Sequence, residues 1–159
     1  MLSIIVGSKS DLPIFKDAFA LLKEWGVSYE LKVLSAHRTL EETIAYAKEA
    51  DKHGVKIIIA AAGAAAALPG VVASSTLLPV IGVPISSTSL QGLDSLLSMV
   101  QMPKNVPVGV VSIGEAGAIN AVLLALRILA LHNETIKELL LLHKEGIKKK
   151  VIQDNASVQ

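Results

Sequence analysis

Ser35-Ala36-His37-Arg38-Thr39 sets a titratable imidazole beside a fixed cation. Together these could grip a small anionic substrate and exchange a proton with it. Two unrelated polar side chains in a solvated loop are the plainer reading of such a pair. A second stretch argues against that reading. Gly7-Ser8-Lys9-Ser10-Asp11-Leu12-Pro13 combines a glycine that permits close backbone approach, two hydroxyls and a carboxylate. Asp11 either caps a helix begun near Pro13 or accepts from a sugar hydroxyl, and the two roles are compatible.

Both stretches lie where a strand gives way to a helix. Residues 2–6 form an apolar strand ahead of the first turn, and residues 29–34 alternate and then end apolar ahead of the second. Thr39 with Glu42 three residues on reads as a capping box for the next helix. Further strands are predicted over 56–60, 80–84 and 106–113, the last three buried. Helices are predicted over 13–25, 40–53, 64–75, 92–100, 116–131 and 134–152. The alternation predicts a three-layer α/β/α fold on a doubly wound, flavodoxin-like parallel sheet of about five strands. It forms one domain over residues 1–159, with a C-terminal helix from about 134 to 152. In such a sheet the strand-to-helix turns line one crevice, and the helix N-termini offer unpaired N–H groups to an anion. Lys148-Lys149-Lys150 reads as the solvated end of the last helix, where cations suit the dipole.

Composition is compatible with a cytoplasmic enzyme. A chain of 159 residues can bury a sizeable core, and a formal net charge of +1 gives no reason to expect nucleic acid as a partner. There is no cysteine for disulfides or thiolate metal sites. Met1 leads into an apolar strand without a basic n-region, which argues against a secretory signal. A mean hydropathy of +0.55 raises the question of a membrane span over 57–85. That run is interrupted by Gly63, Pro69-Gly70, Ser74-Ser75-Thr76, Pro79 and Pro84, so no membrane partner is expected. The apolar surplus suits a buried parallel sheet and helices that bury faces against other subunits. There is no dinucleotide fingerprint, Walker loop, nucleophile elbow or metal-spaced histidine pair, so neither a cofactor nor a metal is expected. His53, His132 and His143 sit at predicted helix ends or surfaces and are not candidates.

Four motifs in one order, from Leu2 to about Leu131, resemble the class I N5-carboxyaminoimidazole ribonucleotide mutases of purine biosynthesis. They are Gly7 to Pro13, Ser35 to Thr39, Leu68-Pro69-Gly70, and the run from Gly92-Leu93-Asp94-Ser95-Leu96 through Val100-Gln101-Met102-Pro103. The resemblance implies a reaction that moves a carboxylate from the exocyclic nitrogen of an aminoimidazole ribonucleotide to ring carbon C4. The path is transient decarboxylation and recapture, with no cofactor. One group must protonate the nitrogen and later deprotonate C4, and an imidazole populates both forms near neutrality. By motif match His37 is that general acid/base, and Arg38 grips the 5′-phosphate with Ser8, Ser10 and Ser35 nearby. Asp11 holds the ribose, and Gly63, Ala64, Ala67 and Leu68 belong to the turn whose backbone meets the carboxylate. The family forms homo-octamers.

The third turn departs from the family, which reads Ala-Gly-Ala-Gly-Gly-Ala-Ala-His-Leu-Pro-Gly. This chain has alanine at Ala61, Ala64 and Ala67, losing two glycines and a histidine. Ala64 adds a methyl group and a backbone restriction, and Ala67 removes a second imidazole. Leu40 replaces a family proline at a helix start, with little expected chemical effect. Three readings stay open: a working mutase, a catalytically weak ribonucleotide-binding relative or assembly module, and a direct carboxylase using carbon dioxide. Retention of Ser8, Asp11, Ser35, His37 and Arg38 favours an enzyme, and the 92–103 run favours the mutase.

Overall fold

The computed structural model describes residues 1–158. Strands β1 (Leu2–Val6), β2 (Tyr29–Val33), β3 (Ile57–Gly63), β4 (Val80–Ile85) and β5 (Gly109–Val110) build one sheet. They are interleaved with helices α1 (Lys16–Glu24), α2 (Leu40–Glu49), α3 (Leu68–Ser75), α4 (Leu93–Val100), α5 (Glu115–Leu129) and α6 (Glu134–Ser157). All pairings are parallel and the order is β2-β1-β3-β4-β5, the doubly wound, flavodoxin-like arrangement. The described residues fall into two compact units, Met1–Val122 and the chain from Leu123 onward.

Continuous apolar runs explain the centre of the sheet. β1 and β4 are buried at every position and β3 at all but its last, as strands covered on both faces must be. Ile58, Ala60, Val72, Val80 and Met99 share one core cluster with Ile5 and Leu68. β2 is an edge strand, and Leu31 and Val33 remain exposed.

Several predicted boundaries are corrected. The strand predicted over 106–113 pairs only at Gly109 and Val110 and is not buried. Pro84 on the neighbouring strand has no N–H to extend the ladder, and the chain leaves after Gly114 N–H reaches the Pro84 carbonyl. The helix predicted from Pro13 begins at Lys16, because Pro13 lies inside a 3-10 turn, Lys9–Phe15. α2 stops at Glu49 rather than at 53, since tight turns through Gly54 (φ +83°) close its end and Val55 N–H bonds the Ala50 carbonyl. α3 begins at Leu68 rather than at 64. Ala64 is left-handed (φ +52°), which no right-handed helix includes, and Pro69 suits the first turn. α6 runs on to Ser157, so the three lysines lie before its last turn, which has no basic residue, and the dipole argument does not apply to them.

One stretch among the described residues, Glu115–His132, is long and apolar enough to cross a membrane by length and composition. Its fully buried residues, Ala118, Ala121, Val122, Ala125 and Leu126, recur at three- and four-residue spacing. That is the pattern of a helix with one face in a protein core.

A polar tie anchors α2 to the sheet. The fully buried Ser3 hydroxyl of β1 meets the Tyr46 phenol of α2, and the phenol donates to the Glu30 carboxylate of β2. Burial first, and the hydrogen-bonded Glu30 second, push the phenol pKa well above its ordinary value, so Tyr46 stays a donor. Lys32 completes the group, 3.3 Å from Glu30 Oε2 and 5.4 Å from the Tyr46 ring centre. Tyr46→Phe orphans the buried serine and should cost about 1–3 kcal/mol in urea unfolding. Ser3→Ala added to that variant should cost little more, because the orphan is then gone.

Candidate active site in the cleft above the strand ends

The turns after β1, β2, β3 and β4 meet in a cleft of about 340 Å³. Of the predicted site residues, Ser8, Asp11, Ser35, His37, Arg38, Gly63, Ala64, Ala67 and Leu68 line it, and Ser10 does not. Ser87 also lines it and was not among the sequence candidates. Its signal is only positional: it is the second residue after a buried strand, in a Ser-Ser-Thr-Ser run that otherwise reads as loop.

In the first turn Ser8 is the cap of the 3-10 turn. Its backbone is extended and its hydroxyl oxygen accepts from Ser10 N–H at 3.3 Å and from the Ser10 hydroxyl at 2.8 Å. Ser10 is therefore turned toward Ser8 and Asp11 within the first turn and does not line the cleft. Asp11 does not cap a helix at Pro13. Its carboxylate faces back toward the Ser8 N–H and the Ser10 hydroxyl. Burial raises its pKa, against the lowering effects of the Ser8 and Ser10 hydrogen bonds and of Arg38. The ionised carboxylate thus opposes folding at neutral pH. That opposition fades as pH falls through the raised folded pKa toward the unfolded one.

The second turn is closed by Thr39, but not as a capping box. Thr39 Oγ1 accepts from Ser35 N–H at 2.9 Å and donates to the Ser35 carbonyl at 3.2 Å, while Thr39 N–H bonds the same carbonyl at 2.8 Å. The side chain makes no capping bond to α2. Its hydroxyl is used to pin a five-residue loop, the competition between local side-chain bonding and helix capping that threonine invites. Ala36 is buried beneath the loop while His37 and Arg38 stay exposed above it. Arg38 then crosses to the first turn, with Nη2 donating to the Gly7 carbonyl at 2.7 Å and Nε to Ser35 Oγ at 3.3 Å. Two of its donor groups are fixed by protein, and the rest of the fork remains for a ligand.

The third turn brings backbone close to the ligand space. A Cβ on Gly63 would lie 2.1 Å from Ser87 Oγ and 2.9 Å from Ser87 Cβ, so any side chain there would displace Ser87. Ala64 follows at φ +52°, a left-handed conformation that an alanine adopts at a cost, and one that the glycine of the resembled family would adopt freely. Ala67 is the N-terminal flanking residue of α3 and is partly buried at the cleft wall. His37 is the only histidine among the lining residues. Ala64→Gly should relieve the strain and stabilise the protein by roughly 0.5–1 kcal/mol, the left-handed penalty less the added unfolded-state entropy. Chemical denaturation of the two proteins side by side would check this, and an equal or lower midpoint for the glycine variant would show the turn to be unstrained.

Known proteins with this arrangement are consistent with one another. The profile of the family described as AIR carboxylase matches residues 1–150. The N5-carboxyaminoimidazole ribonucleotide mutase of Pyrococcus horikoshii is 54% identical over 151 residues, 95% of this chain and 84% of the relative. That of Bacillus subtilis is 50% identical over 155 residues, covering 98% and 96%. The crystal structure of Treponema denticola PurE superposes with a TM-score of 0.88 at 30% identity, covering 99% of this chain and 98% of that one. With the cleft, the four turns and the sequence match all over the same residues, the chain belongs to the AIR carboxylase family.

Proposed function

We propose that this cleft converts N5-carboxyaminoimidazole ribonucleotide to 4-carboxy-5-aminoimidazole ribonucleotide in purine biosynthesis. The carrying observation is that one pinned loop presents His37 and Arg38 side by side at the cleft that Asp11 and the third turn also line. Arg38, with Ser8 and Ser35, grips the 5′-phosphate, since a planar guanidinium fork matches phosphate oxygens two at a time. Asp11 accepts from the ribose hydroxyls, which repays the cost of burying its carboxylate. Gly63, Ala64, Ala67 and Leu68 face the carboxylate end.

The proton balance then needs one group. Breaking the exocyclic N–C bond releases carbon dioxide and leaves an electron pair on nitrogen, which takes the proton of the His37 imidazolium. C4 forms its bond to carbon dioxide and returns a proton to the neutral imidazole, so the enzyme ends as it began. His37→Asn should therefore lose at least ~100-fold in turnover while ribonucleotide affinity stays within a few-fold. In the same assay Arg38→Lys should act chiefly on affinity, and Arg38→Ala more strongly. Ultraviolet absorbance reports turnover and calorimetry reports binding. A His37→Asn protein that keeps half the parent rate would remove His37 from this role.

We propose further that the enzyme works in the cytoplasm as a homo-octamer. Support comes from apolar side chains that the single chain leaves in solvent. Leu93, Leu97 and Val100 line one face of α4. Leu141, Leu142, Val151 and Ile152 are exposed on α6, which buries no residue. Such surfaces mark association sites. Light scattering at micromolar concentration should report eight copies, and a monomer would overturn the assignment.

A further inference from the structure

The geometry points to Ser87 as the side chain that holds the migrating carboxylate, an assignment resting on the mutase reading above. The cleft has two unlike halves. The turns after β1 and β2 supply hydroxyls, a carboxylate, an imidazole and a guanidinium. The turns after β3 and β4 supply alanines, Gly63, Leu68 and Ser87, so in that half Ser87 carries the only side-chain hydrogen-bond donor. A carboxylate moved there must replace its hydration with backbone N–H groups of the third turn and this one hydroxyl. The Ser87 hydroxyl makes no hydrogen bond to any described residue and remains exposed. It stands beside Gly63, 2.1 Å from where a Cβ on that residue would lie. Gly63 thus keeps open the space in which the hydroxyl stands, and β4, buried along its whole length, delivers it. The Ser87 hydroxyl donates to a carboxylate oxygen of the ribonucleotide and keeps the released carbon dioxide beside C4.

The test compares two ligands that differ by the carboxylate alone. Calorimetry on the intact protein would use 4-carboxy-5-aminoimidazole ribonucleotide and unsubstituted aminoimidazole ribonucleotide. Ser87→Ala should weaken the first by about 10-fold or more, as expected for one hydrogen bond to a charged group, and leave the second within about two-fold. Because Ser87 is exposed and unbonded to protein, the variant should unfold at the parent temperature. No change for either ligand, or an equal loss for both, would overturn the assignment, the equal loss showing that Ser87 merely props the Gly63 turn. Should the parent bind both ribonucleotides and interconvert the mutase pair while Ser87→Ala discriminates nothing, Ser87 alone is wrong. Should the parent bind neither, the mutase reading and this assignment fall together.

Discussion

The parallel register of β1 between β2 and β3 is the constraint from which the site follows. Val6, the last residue of β1, is level with Val33 on one side and Ala61 on the other, and Gly63 is level with Ile85. Chains leaving the sheet at these points must turn on the same edge. Because the connections wind in opposite directions from β1, a crevice opens above it instead of a packed seam. The Arg38 bond to the Gly7 carbonyl is possible only because β1 and β2 end together. A slip of one residue along either ladder would separate the guanidinium from its carbonyl and exchange the residues that β1 packs into the two layers of core around it.

Above that edge, local preference and the geometry of the candidate site conflict. Asp11 is held where burial disfavours its charge, Ala64 where its backbone is disfavoured, and Thr39 spends the hydroxyl that would have capped α2. Each is a small destabilisation borne by the core beneath, whose central strands are buried and, Ser3 apart, apolar, and whose α2 is tied down by Ser3, Tyr46 and Glu30. The strain at Ala64 has a further meaning. An alanine here adopts a conformation that favours glycine, so the backbone path is imposed by its surroundings, Gly63 against Ser87 on one side and the start of α3 on the other.

Expectation and structure part company where a residue's role depends on what lies opposite it. Pro13 and Thr39 carry correct helix-start chemistry, yet Ser8 captured the first cap and Ser35 captured the Thr39 hydroxyl. The strand predicted over 106–113 has the right composition but faces Pro84, and pairs at only two residues. The alanine run from Ala64 has high helix propensity, which one left-handed residue overrides.

The amino-acid sequence by itself determined the α/β alternation, the buried centre of the sheet and the two polar turns. These depend on periodicity and on residue types adjacent in the chain, which hydrophobic burial reads directly. It also carried the family, through motifs whose spacing survives without coordinates. Only the tertiary structure decided that Arg38 bridges the first two turns and that Ser87 lines the same cleft as Gly63. Those facts join residues from different strand ends, and such proximity is set by sheet order and register, which no local pattern in the chain encodes.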